Sequence, residues 1–352
     1  MIRRATLVGT GLIGGSVGIA LRKQRWHVSA VDLDPEVATQ AVKVGAADEV
    51  GFDADSELVV LAAPVGAIPD LAIDALERTN AVVTDVGSTK AEICSLVDNP
   101  RFVGGHPMAG SEQDGLLGAR EDLFAGAMWV LTPLETTDES AFAKVRAVVR
   151  SIGAESLALP PVIHDELVAQ VSHVPHLTAA ALMNLADATS VEHRALLRLA
   201  AGGFRDMTRI SAGRPSIWPD ICIANGVAIV EGLEQLIEAL SGVRDLVSDG
   251  DRDGILELLT TARSARVNLP VGFGPANDLV ELAIAIPDRP GEIAAIANLA
   301  AELDVNIFDL EISHSGEGRQ GVMMLVVDEA RSERFVGGLM ARGYRPTVRS
   351  LD

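Results

Sequence analysis

Six short runs of mostly apolar residues punctuate the first 155 positions: Ala5–Val8, His27–Asp32, Leu58–Ala62, Ala81–Asp85, Arg101–Gly104 and Met128–Thr132. Between most of them lie longer stretches with apolar positions at helical spacing, of which Leu12–Lys23 is the first. A strand buried on both faces has no polar alternation. Continuous apolar runs separated by helices therefore predict a mainly parallel, doubly wound α/β sheet over residues 1–159.

The texture changes at Pro160-Pro161. From Val162 to Leu269 no strand pattern occurs and apolar residues recur at helical spacing; Ile217–Ser241 is the longest run, interrupted at Asn225-Gly226 and Gly232. Residues 160–270 are expected to form an all-α domain whose long apolar faces pack against a second copy, giving a homodimer. Pro270–Asn277 (PVGFGPAN) is a Gly/Pro linker. Beyond it, residues 278–352 read as strand Leu279–Ile286, helix Glu292–Leu303, strands Val305–Ile312 and Gly321–Val327, helix Ser332–Arg342 and strand Arg345–Ser350. That βαββαβ order predicts a ferredoxin-like third domain.

Composition narrows the setting. The chain has 352 residues, 29 Lys+Arg against 49 Asp+Glu, and a formal net charge of −20, which argues against nucleic acid or an anionic membrane as partner. Hydrophobic residues at 48% and charged residues at 22% describe a globular chain, not a disordered one. No apolar stretch approaches the ~18 residues that cross a bilayer. Cys94 and Cys222 stand far apart without ligand-like spacing, so no disulfide framework and no metal site is expected. The start MIRRATLVGTG lacks a signal-peptide pattern, and a cytoplasmic location follows as the expectation.

Gly9-Thr10-Gly11-Leu12-Ile13-Gly14-Gly15 fits G-x-G-x-x-G directly after the first strand and at the start of a helix. Glycine there permits a tight turn and close backbone approach, and the helix N-terminus faces a pyrophosphate. Asp32 ends the second strand, where a carboxylate accepts from ribose hydroxyls and repels a 2′-phosphate. Leu33 and Asp34 add no arginine for such a phosphate. The first domain is read as a Rossmann unit that binds NAD through Gly9, Gly11, Leu12, Ile13, Gly14 and Asp32.

Three further segments are polar at places that face a bound nicotinamide. Asp85-Val86-Gly87-Ser88-Thr89-Lys90 and Gly104-Gly105-His106-Pro107-Met108-Ala109-Gly110-Ser111-Glu112 follow the fourth and fifth strands. The third, Ser172-His173-Val174-Pro175-His176, lies in the helical region ahead of Gly202-Gly203-Phe204-Arg205-Asp206-Met207-Thr208-Arg209 and Trp218. With the glycine loop, these boxes occur in the order and spacing of the prephenate dehydrogenase family, which the chain resembles over essentially its whole length.

The resemblance implies a reaction. Hydride leaves C4 of prephenate for NAD⁺, the C4 hydroxyl loses its proton, the ring carboxylate departs as CO₂, and 4-hydroxyphenylpyruvate results on the way to tyrosine. It implies His106 as general base at that hydroxyl, with Ser88 orienting the imidazole; an imidazole of ordinary pKa near 6.5 suits the role. Arg209 is expected to bind a substrate carboxylate, His176 the side-chain end with Ser172 near it, and Gly202, Ser111, Glu112 and Trp218 to complete the pocket. Arg205, Asp206 and Glu112 resemble a gating ion network. For His173, a buried structural role and a place in the site stand equally open.

Asp288-Arg289-Pro290-Gly291-Glu292 and Val305-Asn306-Ile307 resemble the ligand loop of ACT domains. That likeness implies a tyrosine effector held by Asp288, Pro290, Gly291 and Asn306. Two other functions remain open at this point: an arogenate or mixed-specificity dehydrogenase, and a non-catalytic NAD- and amino-acid-sensing regulator. A 3-hydroxyacid dehydrogenase would place a lysine in the second domain, and no lysine follows Lys144. Since substrate and cofactor are anions, Arg205, Arg209 and Arg214, with His106, His173 and His176, are expected to make a positive pocket in an acidic body.

Overall fold

A computed structural model of the chain describes residues 2–111, 113, 115–190, 196–268, 279–287, 289–314 and 320–350. The chain divides into two compact units, Met1–Leu240 and Ser241–Asp352.

The first unit begins with β1 (Arg4–Val8), α1 (Leu12–Lys23), β2 (His27–Val31), α2 (Pro35–Lys43), β3 (Glu49–Val50), β4 (Leu58–Leu61), α3 (Ile68–Arg78) and β5 (Val82–Asp85). It continues with α4 (Ala91–Leu96), β6 (Phe102–Pro107), β7 (Met128–Thr132), α5 (Glu139–Ser151) and β8 (Glu155–Ala158). The strands form one sheet in the order β3-β2-β1-β4-β5-β6-β7-β8, parallel except where β6 meets β7. The chain reverses direction across the sheet between β1 and β4, the topological switch point of a doubly wound fold.

Alternation along the strands explains the continuous apolar runs. Leu58 and Val60 point into a core completed by Val17 and Leu21 of α1 and Val145 and Val149 of α5. Val59 and Leu61 point the other way, onto Ile68 and Ala72 of α3 and Ile93 of α4. β3 and β8 escape a reading based on apolar runs: β3 has two residues, both exposed, and β8 (ESLA) is polar and largely exposed, as suits sheet edges.

β6 departs from expectation in a way that matters for the site. Its apolar run ends near Gly104, yet the strand continues through Gly105, His106 and Pro107, pairing with Thr132 to Trp129 of β7. A Cβ on Gly105 would lie 2.7 Å from the Asp85 carbonyl oxygen, so the missing side chain lets β5 and β6 close up. His106 therefore stands on a strand and not on the loop after one.

Helices follow: α6 (Pro161–Val168), a π-helical turn at Ala169–His173, α7 (Val174–Ser190), α8 (Gly202–Thr208), α9 (Trp218–Ala224) and α10 (Gly226–Asp249). Pro175 lacks an N–H and its ring crowds the preceding turn, which accounts for the widened turn just before it. The long apolar run after Ile217 is two helices, broken at Asn225. Val227, Val230, Ile237 and Leu240 of α10 are exposed.

The second unit contains the end of α10, α11 (Arg252–Val267), β9 (Leu279–Pro287), α12 (Glu292–Glu302), β10 (Ile307–His314), β11 (Gln320–Asp328), α13 (Glu329–Ala341) and β12 (Pro346–Ser350). From β9 onward the order is βαββαβ, with an antiparallel sheet β10-β11-β9-β12. Leu282 and Ile284 of β9, Met323 and Leu325 of β11, Leu299 of α12 and Phe335 of α13 make its core. Among the described residues, no helix is long and apolar enough to cross a membrane.

Candidate active site

The carboxyl ends of the central strands lie level, because Val8 pairs with Leu61 and Leu61 with Asp85. At that edge Gly9 turns with φ +93°, and a Cβ there would meet the Ala62 carbonyl oxygen at 2.2 Å. Gly11, immediately before α1, has no atom within 4 Å of where a Cβ would stand, so the helix N-terminus opens onto free space. Leu12 and Ile13 begin the helix and Gly14 packs beneath the turn. Asp32 follows β2; its Oδ2 accepts from the Thr10 amide at 2.7 Å and the Thr10 hydroxyl at 2.9 Å. An open cradle at a helix N-terminus beside a fixed carboxylate fits a dinucleotide pyrophosphate and its ribose.

A cavity of about 340 Å³ lies among Ser88, His106, Met108, Ser172, His173 and Trp218, so the boxes after β5 and β6, the π-helical turn and α9 converge. Beneath it, buried Asp85 accepts from the amides of Gly87 at 2.8 Å and Gly105 at 3.0 Å. Fully buried Lys90 is ion-paired with the same carboxylate. These contacts tie β5, the Ser88 segment and β6 into one rigid floor.

The imidazole of His106 is held by a residue that sequence reasoning missed. His106 Nδ1 lies 2.9 Å from His164 Nε2, and His164 Nδ1 lies 2.7 Å from Asp165 Oδ1. Asp165 also accepts from the amides of Lys90 at 2.7 Å and Ala91 at 2.8 Å. Asn225, at the break between α9 and α10, donates to the Asp165 carbonyl at 2.8 Å and lies 3.2 Å from His173 Nδ1. A visible signal did exist: adjacent His164 and Asp165 interrupt an apolar helix start, PVIHDELV, and both are buried.

Burial pushes the His106 imidazole well below 6.5, helped by the neighbouring His164, Lys90 and His173. His173 is lowered to about 4, chiefly by burial, and His176 is lowered for the same reason. All three are neutral at neutral pH. The expected positive pocket therefore has no histidine charge, because desolvation disfavours the cation. One consequence concerns stability. Below pH 6.5 the unfolded chain protonates His106 and His173 while the fold keeps them neutral, so stability is lost as pH falls from about 6.5 towards 4. Thermal melts should show a steady Tm between pH 8 and 7 and a progressive fall below about 6.5.

The remaining expected site residues are spread more widely. His176 stacks on Trp218 with ring centroids 3.7 Å apart, and His173 meets the same indole edge-on at 5.9 Å. Arg209 opens a 3₁₀ turn, Arg209–Ala212, and Gly213 directly after that turn lies against His176. Arg209, Gly202 and Ser111 are exposed and are not among the described residues lining the cavity. Arg205 donates to the Ala200 carbonyl at 3.3 Å, and Asp206 is exposed on α8. Glu112 lies outside the described residues.

In the second unit, Pro290 and Gly291 form the exposed turn into α12, Gly291 with φ +97°, and Asn306 is exposed just before β10. Asp288 lies outside the described residues. Glu292 accepts from Arg289 Nε at 2.5 Å and from the Tyr344 hydroxyl at 2.6 Å, which holds its carboxyl below the usual range.

Residues 17–158 match the family model for the prephenate dehydrogenase nucleotide-binding domain, and residues 160–261 that for the prephenate dehydrogenase dimerization domain. A prephenate dehydrogenase of Bacillus subtilis is 31% identical over 94% of this chain and 94% of its own length. The crystal structure of prephenate dehydrogenase from A. aeolicus, in complex with hydroxyphenyl propionate and NAD⁺, is similar at a TM-score of 0.72 and 28% identity. It covers 77% of this chain and 99% of that one. Synechocystis arogenate dehydrogenase is similar at a TM-score of 0.66 and 29% identity, over 75% of this chain and 98% of its own.

Proposed function

We infer the reaction from one premise, that this chain belongs to the prephenate dehydrogenase family: it is an NAD-dependent oxidoreductase that converts prephenate to 4-hydroxyphenylpyruvate. The observation that carries the reading into this molecule is the buried, neutral His106 on the wall of a cavity at the strand ends. NAD⁺, when bound along the Gly9–Gly14 turn and Asp32, supplies the hydride acceptor. The chain's own residues do the rest. His106 takes the proton from the C4 hydroxyl, Ser88 orients that hydroxyl from the same wall, and Trp218 with His176 behind it packs against the substrate and excludes water. Loss of the proton pushes electron density onto C4 as hydride and the ring carboxylate leave, aromatisation makes the step irreversible, and His106 returns the proton to the phenolate oxygen of the product.

Prephenate, with its ketone, fits better than arogenate, whose ammonium group calls for an acidic partner. None of the described lining residues is acidic. NADH formation followed at 340 nm with prephenate or arogenate, and with NAD⁺ or NADP⁺, tests the reading. The expected result is turnover with prephenate and NAD⁺. Absence of turnover with either acid overturns it.

We assign a substrate carboxylate to Arg209, whose turn packs beside His176, and substrate contacts to Ser172 on the cavity wall and to Ser111, Gly202 and Glu112. Arg209→Ala should raise the prephenate KM about 10- to 100-fold with a small change in kcat, and the wild-type KM should rise with salt. The exposed apolar face of α10 supports a homodimer built on the helical region. The βαββαβ order and the Pro290-Gly291 turn support an ACT-type module that takes tyrosine, with Asp288 and Asn306 at the ligand. Calorimetry with millimolar tyrosine should register binding; no heat and unchanged kinetics would leave the module a purely structural role.

A further inference from the structure

We propose that Asp165 and His164 set the tautomer of His106, holding a bare Nε2 towards the cavity and receiving the proton that His106 takes up. Both are positioning residues. The proposal deepens the reading above and rests on it only for the identity of the proton donor.

The tautomers follow from the acceptors. Asp165 takes the Lys90 amide on Oδ1 and the Ala91 amide on Oδ2, so both oxygens already act as acceptors of backbone N–H groups, the role of a carboxylate. A carboxylate only accepts; the 2.7 Å contact from His164 Nδ1 to Oδ1 therefore puts a hydrogen on Nδ1. An imidazole with its single hydrogen on Nδ1 has a bare Nε2, and in that tautomer His164 Nε2 accepts from His106 Nδ1 at 2.9 Å. With its hydrogen on Nδ1 and that nitrogen committed to fully buried His164, His106 has one free nitrogen, Nε2, and that nitrogen is unprotonated. The reverse tautomer would be useless as a base, and no side chain at the cavity needs to prevent it.

The same chain disposes of the proton. When His106 Nε2 takes the hydroxyl proton, Nδ1 passes its hydrogen to His164 Nε2. The positive charge then rests on His164 beside the Asp165 carboxylate, away from the departing CO₂. The C4–H electron pair leaves as hydride, the C1–carboxylate pair enters the ring as CO₂ departs, and the proton lent to the His164–Asp165 pair returns through His106 to the phenolate oxygen, which the product carries as its hydroxyl. The charged or titratable neighbours all bear on this path: Lys90 and His173 face His106, Asp85 neutralises Lys90, and His173 also faces His164. Passing the charge inward sets it beside the only adjacent carboxylate among the described contacts of His164, that of Asp165.

Two measurements test the assignment. Long-range ¹H–¹⁵N spectra of histidine-labelled protein near pH 7, assigned with His106→Asn and His164→Asn, read the tautomers without any turnover. A protonated Nδ1 and bare Nε2 on His106 are expected; hydrogen on Nε2 overturns the proposal. Asp165→Asn removes the negative charge and leaves one oxygen to serve the Lys90 amide, the Ala91 amide and His164, so the hydrogen on His164 Nδ1 is no longer fixed. By comparison with the same exchange in a Ser-His-Asp triad, kcat should fall by about 10³–10⁴-fold, with prephenate KM and NAD⁺ affinity within about threefold. The residual rate should climb with pH above neutrality, as hydroxide replaces the blocked base. A variant that only melts earlier, with a pH–rate profile shaped like the wild type's, refutes the positioning role. Should wild-type protein ignore prephenate altogether, the functional reading fails, while the spectra still decide the tautomer.

Discussion

His106→Asn lowers kcat by about 10²–10⁴-fold and leaves the prephenate KM within a few-fold of wild type. Asparagine is the informative replacement because its amide falls near the position of Nδ1. An amide N–H there can still donate to His164 Nε2, now 2.9 Å from Nδ1, so the buried network keeps its partner. What disappears is Nε2, the nitrogen assigned to the substrate hydroxyl. Binding energy from the carboxylates and the ring is untouched, which is why kcat falls and KM does not. The pH dependence carries a second expectation. Burial and the neighbouring His164, Lys90 and His173 hold the imidazole well below 6.5. The acid limb of kcat/KM in the wild type, which reports the free enzyme, should therefore lie below the ordinary imidazole range, and the asparagine variant should lack it. Steady-state kinetics between pH 5 and 9 measure both. Wild-type turnover by the variant would remove His106 as the base.

The sheet was legible because its central strands are buried on both faces, and burial writes itself as unbroken apolar runs. Its edges were not, because β3 and β8 have little to bury. The site divides on the same line. Ser88, His106, Ser172 and Trp218, legible as boxes, do meet around one cavity. His164 and Asp165 carry no box of their own. Their partners are 58 and 75 residues away in sequence, at His106 and Lys90, and only the docking of α6 against β6 and α4 brings them together. Charge misled for a related reason. Counting histidines near a site counts cations only if they stay solvated, and these three are desolvated by the walls that make the cavity.

Gly11→Ala and Gly14→Ala should both weaken NAD⁺ binding, by about a hundredfold or more, yet only the second should destabilise the protein. The difference lies in what each new methyl meets. At Gly14 a Cβ would stand 2.1 Å from the Gly9 carbonyl oxygen and 2.9 Å from the Ala62 Cβ. Neither neighbour can yield alone, because Gly9 is fixed by its +93° turn and Ala62 by its bond to Val8 across the sheet. Relief requires moving the turn off the strand ends, at about 1–3 kcal/mol for an overpacked site, and the same shift misaligns the amides at the start of α1. At Gly11 a Cβ meets nothing within 4 Å. The fold gives no reason for glycine there, so the reason is the ligand: a methyl would occupy the space through which the pyrophosphate approaches the helix N-terminus. Melting curves with and without NAD⁺, together with fluorescence titration of the cofactor, separate the two cases. Gly11→Ala should melt with wild-type protein when NAD⁺ is absent and lose the rise in Tm that NAD⁺ gives. Undiminished cofactor affinity in that variant would mean the dinucleotide does not cross the turn at Gly11, and the placement of NAD⁺ at this end of the sheet would have to be abandoned.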